Sequence, residues 1–489
     1  MAYYHGVYVE ELATGLTPPV EVDAGIPFIV GVAPINMADE SNVNKPQLCY
    51  SYADAVKLFG YVPPKLDSAS GFEKFEYSIS EALYSQFALF AVAPIMVVNV
   101  LDPAKHKKAT ETTSITLDSK KGSVTIAETG IIPSTVTLSS YTRGTDYEVS
   151  FDSNGNLVIA SLLDTDGGFK CTVGQAIEFT AQKLDPSAVT DADIIGGVDT
   201  NGKKSGLELV NESFPRFRKT PGFIIAPGYS HKPAVAAVMG AKADLVSSVA
   251  RCCAVCDVPS GEVKIYSNAP AWKNNNNLVS ERQLVVWPKK ALDKMMIHGS
   301  TEYVGLAGKV DGENSGVPYV SASNHNFQMT QAVLDDGTPI HLTLDEANYL
   351  NENGIVTSLN FNNGWVCWGN RTAAYPGTTD IKDAFIPVRR MFDWIGNTLT
   401  LTFWSKLDNP LSPRQVNTIV ESANAWLAGL TAQGFIAGGR VEFLESDNPI
   451  TSLMDGKAVF SVKIAPYSPN EAITFRQEYD VNYLSTLFE

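Results

Sequence analysis

The segment GVDTNGKK, residues 197–204, comes within one residue of a phosphate-binding loop. In that motif a Ser or Thr follows the lysine and holds Mg²⁺, and the loop joins a strand to a long helix. Here Lys204 stands at the hydroxyl position, and Pro215 would cut short any helix that follows. The Gly and Asn residues are typical of a turn. The sequence therefore predicts a turn here and no nucleotide or other cofactor.

Three cysteines lie close together in CCAVC, where Cys253 and Cys256 have the spacing of a metal-binding pair and Cys252 precedes them. A structural zinc site needs a second pair of ligands at suitable spacing, and the nearest histidine, His231, is poorly placed to supply one. Free cysteines are most often buried as small hydrophobic residues. We predict reduced thiols on a core strand and no metal site.

Ser230 and His231 are adjacent, after APGY, and could suggest a nucleophile and its base. A nucleophile elbow requires GxSxG with a separately placed base, which two neighbours on a turn do not provide. We predict no catalytic residues. A cytoplasmic α/β hydrolase with a β accessory domain stays as the alternative from a different functional class.

The formal net charge of −16 and the pI near 4.9 argue against binding to nucleic acid or to an anionic membrane. The longest apolar run, FALFAVAPIMVVNVL, is interrupted by Pro94 and is too short for comfortable insertion into a bilayer. The amino terminus lacks the pattern of a secretory signal, so we expect a chain that stays in the cytoplasm or leaves it by another route. With 489 residues, two to four domains are expected.

Most of the chain has the pattern of helices packed on a buried sheet. FIVGVAP, IMVVNVL, GFIIAPG and RCCAVCDV are predicted strands, and KPAVAAVMGAKADLVSSVA is a predicted helix. A further helix is predicted from residues that recur at steps of three and four: Phe72, Phe75, Ile79, Leu83, Phe87 and Phe90.

Between residues 103 and 200 the pattern changes to short alternating strands, with a tight hairpin at Asn154-Gly155. Further on, Thr343 and Glu346 predict a capping box. A helix is predicted from Ser412, its N-cap, to Gln433, and VEFLES and AVFSVKIA are predicted strands.

The carboxyl-terminal EAITFRQEYDVNYLSTLFE alternates like a strand but has no hairpin partner nearby in the sequence. Pro466 and Pro469 separate it from what precedes it, and the amino-terminal YYHGVYVEE is likewise followed by a proline-containing linker. We predict that each is a strand-like arm whose partner strand is not its neighbour in the sequence. Their predicted pairing residues are Tyr4, Val7, Tyr8, Val9, Ile473, Phe475, Tyr479, Val481, Tyr483 and Leu487.

Several ordered stretches resemble the contractile tail sheath proteins of bacteriophages and related injection particles. They are YHGVYVEEL with AGIPFIVGVAP, GLELVNESFPRFRKTPGFIIAPGYS, LDEANYLNENGIV with GWVCWGNRT, FIPVRRMFDWI, and SPRQVNTIVESANAWLAGLTAQGFIAGGRVEF. They occur in this order along most of the chain outside the β insertion. Sheath proteins vary in their inserted domains, so the insertion resembles an outward-facing decoration.

The resemblance implies a structural protein and not an enzyme. Sheath subunits form a helical homopolymer of stacked rings around an inner tube, and they contract on a signal from the baseplate to drive the tube through a cell envelope. The implied partners are further copies of the chain, the inner tail tube protein, and baseplate and tail-terminator proteins. The implied location is a virion tail or phage-like particle assembled in the host cytoplasm. Another self-assembling phage component, of the baseplate or shell, is the alternative within this class.

The expected fold is an α/β (α+β) multidomain core with an inserted all-β domain and extended β-strand arms at both termini. The expected boundaries are 1–22 for the amino-terminal arm and linker, 23–102 and 201–370 for the α/β core, 103–200 for the insertion, 371–465 for a carboxyl-terminal α/β domain, and 466–489 for the carboxyl-terminal linker and arm. In relatives the terminal arms add strands to a small sheet of neighbouring subunits, and the carboxyl-terminal domain faces the tube. Tube contacts are therefore expected on the polar face of the last long helix, at Arg414, Asn417, Glu421 and Asn424.

Overall fold

A computed structural model describes residues 17–488 of the chain. The predicted amino-terminal arm residues Tyr4, Val7, Tyr8 and Val9 lie outside the described residues. The strands of the described part are β1 (Pro27–Gly31), β2 (Gln47–Cys49), β3 (Lys65–Asp67), β4 (Phe72–Lys74), β5 (Ile95–Asn99), β6 (Lys107–Ala109), β7 (Ser114–Thr116), β8 (Ser123–Thr129), β9 (Thr137–Leu138), β10 (Tyr147–Phe151), β11 (Asn156–Ser161), β12 (Ala176–Thr180), β13 (Gln182–Leu184), β14 (Gly197–Val198), β15 (Lys204–Ser205), β16 (Phe223–Ile225), β17 (Cys253–Asp257), β18 (Gln283–Val286), β19 (Lys289–Leu292), β20 (Met295–Ile297), β21 (Gln331–Val333), β22 (Pro339–Ile340), β23 (Ile355–Asn360), β24 (Trp365–Trp368), β25 (Ile436–Glu442) and β26 (Ser461–Pro466).

The α-helices of the described part vary from a single turn to twenty residues. They are α1 (Tyr52–Phe59), α2 (Ser78–Leu83), α3 (Asp191–Ile195), α4 (Ser213–Phe217), α5 (Pro233–Asp244), α6 (Ala269–Asn275), α7 (Gly299–Glu313), α8 (Leu344–Glu352), α9 (Ile381–Ala384), α10 (Ile386–Phe403), α11 (Pro413–Ala432) and α12 (Ile450–Met454). In the part of the chain that the structure covers, none of them has the length and apolar character needed to cross a bilayer.

Eight strands form the central sheet, in the order β2-β5-β1-β16-β17-β18-β23-β24. The inner strands from β5 to β23 run parallel, and the edge strands β2 and β24 are antiparallel to their neighbours. Every residue of β1, β5, β16, β17 and β18 is buried, as expected for parallel strands covered on both faces. Helices α2, α5 and α7 pack against this sheet. The four predicted core strands are confirmed.

A second sheet of six strands, β22-β21-β19-β20-β4-β3, lies within the same body. It accounts for the error in the predicted helix through Phe72 and Phe75. Phe72 lies in β4, which pairs with β3 and β20, and the helix begins only at Ser78. It continues as a π-helix, Tyr84–Leu89. Strand pairing over long sequence distance overrode a local helical spacing.

The strands β7 to β12 have a hydrophobic core of their own, with Leu117, Leu157 and Phe179 fully buried. The hairpin predicted at Asn154-Gly155 is confirmed, since β10 and β11 are antiparallel and Gly155 has φ +76°. The insertion begins and ends at one antiparallel pair, with Lys107 opposite Leu184 and Ala109 opposite Gln182. The helix α3, which follows inside the predicted 103–200 boundary, packs on α5 of the body and places Ile194 in the body's core.

The carboxyl-terminal helices α10 and α11 and the hairpin β25–β26 share a separate hydrophobic core. Both predicted helix starts are confirmed: Ser412 accepts a hydrogen bond from the backbone of Gln415, and Thr343 and Glu346 form the capping box of α8. The two predicted strands exist, but the first begins at Ile436, five residues before VEFLES, and ends at Glu442.

The linker from Thr17 to Ala24 is bound along α10 and α11. The backbone N–H groups of Thr17 and Val20 donate to hydroxyls of Ser422 (2.8 Å) and Thr402 (2.9 Å), and the Trp394 indole donates to the Val22 carbonyl (2.7 Å). The sequence predicted a proline-containing linker here. Hydrogen bonds to side chains of the two helices fix this segment on its own subunit.

Buried ion pairs join α10 to the α/β body. Arg282, just before β18, forms a bidentate pair with Asp393 at 3.0 and 3.1 Å. Arg390 pairs with Asp311 of α7 and lies over the Phe223 ring. Because a buried charge without its partner is costly, these pairs fix how α10 sits on the sheet.

Candidate assembly interface

The hairpin β25–β26 is the small sheet of the carboxyl-terminal domain. Its strands are antiparallel, with Val441 opposite Val462 and Gly439 opposite Ile464. One face packs on α11, where Ile436 and Leu427 are fully buried. Within residues 17–488 no third strand pairs with it, so the outer edge of β26 presents backbone groups to solvent.

The side chain of Asn424 in α11 determines which edge of this hairpin is available to another strand. Its side-chain amide donates to the Val441 carbonyl at 3.0 Å and accepts from the Val441 N–H at 2.7 Å. Val441 therefore does not exchange backbone hydrogen bonds with Val462. In an antiparallel ladder such pairs alternate, so the backbone groups of Val462 and Ile464 point away from β25. Asn424 occupies the outer edge of β25, whereas the outer edge of β26 is available to an incoming strand.

An apolar groove of about 540 Å³ lies beside this open edge. It is lined by the ends of α10 and α11, the loop between them, and the hairpin: Leu399, Phe403, Leu407, Leu411, Ile419, Phe460 and Val462. Leu407 is 60% exposed. A strand that pairs with an open edge gains specificity when pockets receive its alternate side chains. The groove supplies such pockets.

The carboxyl-terminal arm leaves the body after β26 without regular structure as far as Asp480. Its predicted pairing side chains are exposed, at 69% for Ile473, 85% for Phe475, 76% for Tyr479 and 77% for Tyr483. Apolar side chains exposed in such a row mark an interaction site. This arm has the composition of a strand but lacks a partner strand within the described chain.

The end of the arm departs from the predicted strand. Val481–Phe488 forms a 3₁₀ helix, so Val481, Tyr483 and Leu487 are not in an extended segment. Asp480 begins this helix, because its carboxylate accepts from the Asn482 N–H at 2.9 Å and its carbonyl accepts from the Tyr483 N–H. Without a ladder partner, local hydrogen bonds satisfy these backbone groups.

The four residues predicted to face a tube do not share one environment. Arg414, Asn417 and Glu421 are exposed on α11, whereas Asn424 is half-buried and holds β25. The polar face of α11 that carries Arg414, Asn417 and Glu421 remains a predicted contact surface for the tube. The role of Asn424 as a brace of the strand edge was not predicted from the sequence.

The segments whose sequences resemble nucleotide, metal or catalytic sites have structural roles. GVDTNGKK is a turn between β14 and β15, in which the Asp199 carboxylate accepts from the Asn201 and Lys203 N–H groups at 2.8 Å, which confirms the predicted turn. The predicted burial of the thiols on β17 is confirmed, and burial raises the pKa of Cys253 to about 12. Within the described residues no three His, Cys, Asp or Glu side chains are arranged to hold a metal ion.

Ser230 is fully buried and donates to the Asp257 carboxylate at 3.0 Å, and no hydrogen bond joins it to His231 in the described chain. Asp257 also accepts from the N–H and hydroxyl of Ser300, at 2.7 and 2.5 Å. This carboxylate therefore ties the end of β17 to the first turn of α7. Burial lowers the pKa of His231.

A buried polar cluster between α2, the π-helix and α7 was not predicted. The His298 N–H and the Thr301 hydroxyl both donate to Glu81 at 2.9 Å. Burial opposes ionisation of Glu81, but the His298 ring and N–H hold its pKa below the usual range. Nearby Glu302 is fully buried, accepts from Ser85 at 3.2 Å, and has one carboxyl oxygen without a partner in the described chain. Burial raises the pKa of Glu302 to about 8, against the opposing effects of Ser85 and the Lys290 charge.

Comparison with known proteins places this architecture among contractile sheaths. No family model matches the sequence. The chain is 28% identical to the tail sheath protein of Burkholderia phage BcepMu over 99% of its own length and 98% of that protein's. The contracted sheath of an extracellular contractile injection system, PVC, has a TM-score of 0.57 at 15% identity, with 99% of both chains covered. A chain in the anti-feeding prophage baseplate has a TM-score of 0.55 at 17% identity, with 98% of this chain and 100% of that chain covered. The resemblance inferred from the sequence is confirmed: this chain has a phage tail sheath protein as a relative over 99% of its length, and its mixed α/β fold is that of contractile sheath subunits.

Proposed function

We propose that this chain is the structural subunit of a contractile tail sheath, which polymerises as stacked rings around an inner tube and contracts to drive the tube through a cell envelope. The observation that carries the proposal is the carboxyl-terminal arm, whose exposed apolar row lacks a partner strand within the described chain. The likeness to a phage tail sheath protein over 99% of the chain supports the same function.

The arm of one subunit would add a strand to the hairpin β25–β26 of a neighbour. The open edge of β26 supplies backbone partners, and the adjacent groove accepts alternate side chains such as Ile473 and Phe475. Each ladder hydrogen bond contributes about 0.5 to 1.5 kcal/mol net, so a strand of several residues holds a neighbour firmly. The segment now in the 3₁₀ helix would extend when it finds a sheet edge.

The work of contraction would come from two packings of the same subunits. A few kcal/mol of difference per subunit is sufficient when many subunits rearrange together, while rigid bodies move on strands that remain paired. We infer a non-enzymatic protein without cofactors. Its partners would be further copies of itself, the inner tail tube, and baseplate and tail-terminator proteins, in a virion tail or phage-like particle assembled in the host cytoplasm.

Within the proposed sheath, α11 would contact the tube through Arg414, Asn417 and Glu421. These side chains are exposed on the face of α11 opposite Leu427 and Leu430, which are buried in the domain core. Asn424 would contribute indirectly by holding β25 in place.

Negative-stain electron microscopy of the purified chain tests this function. We expect hollow tubes of the contracted type. Closed shells or discs would indicate another particle component, and a monomer or small oligomer at all concentrations would contradict the sheath proposal.

Removal of residues 473–489 tests the role of the arm. The residues of this segment that the structure describes are exposed as far as Leu484, so we expect the shortened chain to keep the circular dichroism and melting temperature of the parent and to form no tubes. Normal tubes from the shortened chain would show that the arm is not the intersubunit strand. Failure to fold would show that it pairs within its own chain.

A further inference from the structure

We propose that Arg371 and Glu471 form an anchor that keeps the root of the carboxyl-terminal arm on its own subunit, so that only residues from Ala472 onward reach a neighbour. This inference rests on the proposed sheath function and identifies a positioning pair for the arm. Arg371 lies just after β24, a hundred residues before Glu471 in the sequence.

The geometry of the pair is that of a strong, oriented contact. Arg371 Nε and Nη2 donate to the two carboxylate oxygens of Glu471 at 2.9 and 2.5 Å. The guanidinium carbon lies 3.8 Å from the centre of the Phe385 ring and 4.4 Å from that of Tyr375. The Arg371 side chain is 17% exposed. A bidentate pair whose cation is held between aromatic rings is directional, unlike an ordinary surface ion pair.

The socket around Arg371 is rigid. Thr372 donates its N–H to the Ala384 carbonyl and its hydroxyl to the Asp383 carbonyl. These hydrogen bonds support the antiparallel bridge between Arg371 and Phe385. The buried Lys273 ammonium donates to the carbonyls of Ala373 and Tyr375, at 2.8 and 3.1 Å. Arg371 thus belongs to a loop that is held by its own hydrogen bonds, and Glu471 of the arm binds to it.

Among the described residues, the arm is bonded to the body at one point. Between residues 467 and 480, the hydrogen bonds and ion pairs to residues 17–466 all come from Glu471. The segment before it forms one wall of a cavity of about 630 Å³ between the arm and the body. From Ala472 onward every residue whose burial the structure describes is exposed. The pair therefore marks the boundary between the fixed root and the free part of the arm.

Anchoring sets the reach of the arm. The five residues 467–471 would otherwise add about 17 Å of slack beyond the end of β26, at about 3.3 Å per extended residue. With the root fixed, the nine residues from Ala472 to Asp480 span about 30 Å when extended. The amino-terminal linker is fixed in the same manner by Ser422 and Thr402. The carboxyl-terminal arm thus leaves the subunit from a defined point, which selects one neighbour over others.

Cleavage by the glutamate-specific protease V8 tests the anchor on unassembled protein, taken from the supernatant after high-speed centrifugation. Glu471 is engaged by Arg371, whereas Glu478 is exposed in the free part of the same arm. We expect cleavage after Glu471 to be roughly fivefold slower than after Glu478 in the parent, and to become equally fast in Arg371→Ala, with Arg371→Lys between them because it loses the fork geometry. Equal rates in the parent, or an unchanged ratio in Arg371→Ala, would overturn the anchor.

Assembly provides the second measurement and does not depend on the integrity of the Arg371 socket. Glu471→Ala changes only the arm, and Glu478→Ala is its matched control. We expect Glu471→Ala to lower the yield of sedimenting tubes at least threefold, while Glu478→Ala matches the parent; equal yields would overturn the positioning role. If the parent itself forms no tubes, the sheath proposal fails, whereas the cleavage ratio still decides whether the anchor exists.

Discussion

Glu302 illustrates how a single buried residue couples stability to pH. It is fully buried, one carboxyl oxygen lacks a partner within the described chain, and burial raises its pKa from 4.5 to about 8. Between these pH values the folded chain keeps a proton that the unfolded chain has released. The free energy of unfolding from this group is therefore largest below pH 4.5 and falls as pH rises towards 8.

Glu302→Gln should remove this pH dependence, because the amide stays neutral at nearly the same volume. We expect the variant to gain up to about 4 kcal/mol relative to the parent at pH 8 and little at pH 5. Melting temperatures measured from pH 5 to pH 8 should converge at the acidic end, with the exposed Glu262→Gln following the parent throughout. A constant offset between Glu302→Gln and the parent across this range would contradict the assignment.

Local sequence signals predicted the ends of elements well, because they act within a few residues. The capping box of Thr343 and Glu346, the N-cap at Ser412 and the hairpin at Asn154-Gly155 are all found. The helix predicted from Phe72 failed because β4 pairs with β20, more than two hundred residues away. The cluster around Glu302 could not be predicted, since it joins side chains of helices far apart in the sequence.

The arm shows the limit of a strand pattern as a predictor of structure. Apolar residues of the alternating pattern, such as Phe475 and Tyr479, are exposed, but a strand also requires a ladder, and none forms on the arm within residues 17–488. Asp480 starts a 3₁₀ turn instead. The sequence thus specifies a preference for pairing, which in the proposed sheath another subunit would satisfy. The anchor at Arg371 depends on a contact across a hundred residues and left no local signal.

Val462→Pro tests the open edge at the level of the strand. The Val462 N–H points away from β25, so proline removes a donor to an incoming strand without removing a hydrogen bond inside the hairpin. We expect normal circular dichroism and melting but at least a tenfold loss of sedimenting tubes. Val462→Thr keeps the N–H and should assemble. Normal tubes from Val462→Pro would place the incoming strand elsewhere.

At the scale of the whole molecule, fixed and free parts alternate. Buried pairs such as Arg282 with Asp393 hold α10 on the α/β body, and the linker from Thr17 to Ala24 is bound along α10 and α11. Between Ala472 and Asp480 the carboxyl-terminal arm makes no hydrogen bond or ion pair to residues 17–466. In the proposed sheath, a subunit built this way would move as one body and connect to its neighbours through short, defined strands.

The β insertion is the part of the molecule most open to removal, but its limits are narrower than the sequence suggested. The strands β6 and β13 close the insertion at its root, with Ala109 directly opposite Gln182. Beyond that pair, Leu184, Val189 and Ile194 belong to the core of the body. Inside it, Ile132 also reaches that core, and Asn36 donates to the Ile131 carbonyl at 2.9 Å.

Replacing residues 110–181 by Asn-Gly should therefore leave a folded chain that still polymerises, since a two-residue turn suits the antiparallel pair β6–β13. Loss of Ile132 should lower stability by about 2 to 4 kcal/mol. Deleting residues 103–200 also removes Leu184, Val189 and Ile194 from the core of the body. The summed loss of unfolding free energy, about 6 to 10 kcal/mol, is comparable with the whole stability of a typical domain, so this longer deletion should yield insoluble protein.

Thermal melting and sedimentation of both variants would show whether each deletion leaves a folded chain that polymerises. An insoluble short deletion would show that the insertion is part of the body's fold, and a folded short deletion that forms no tubes would show that it takes part in subunit contacts.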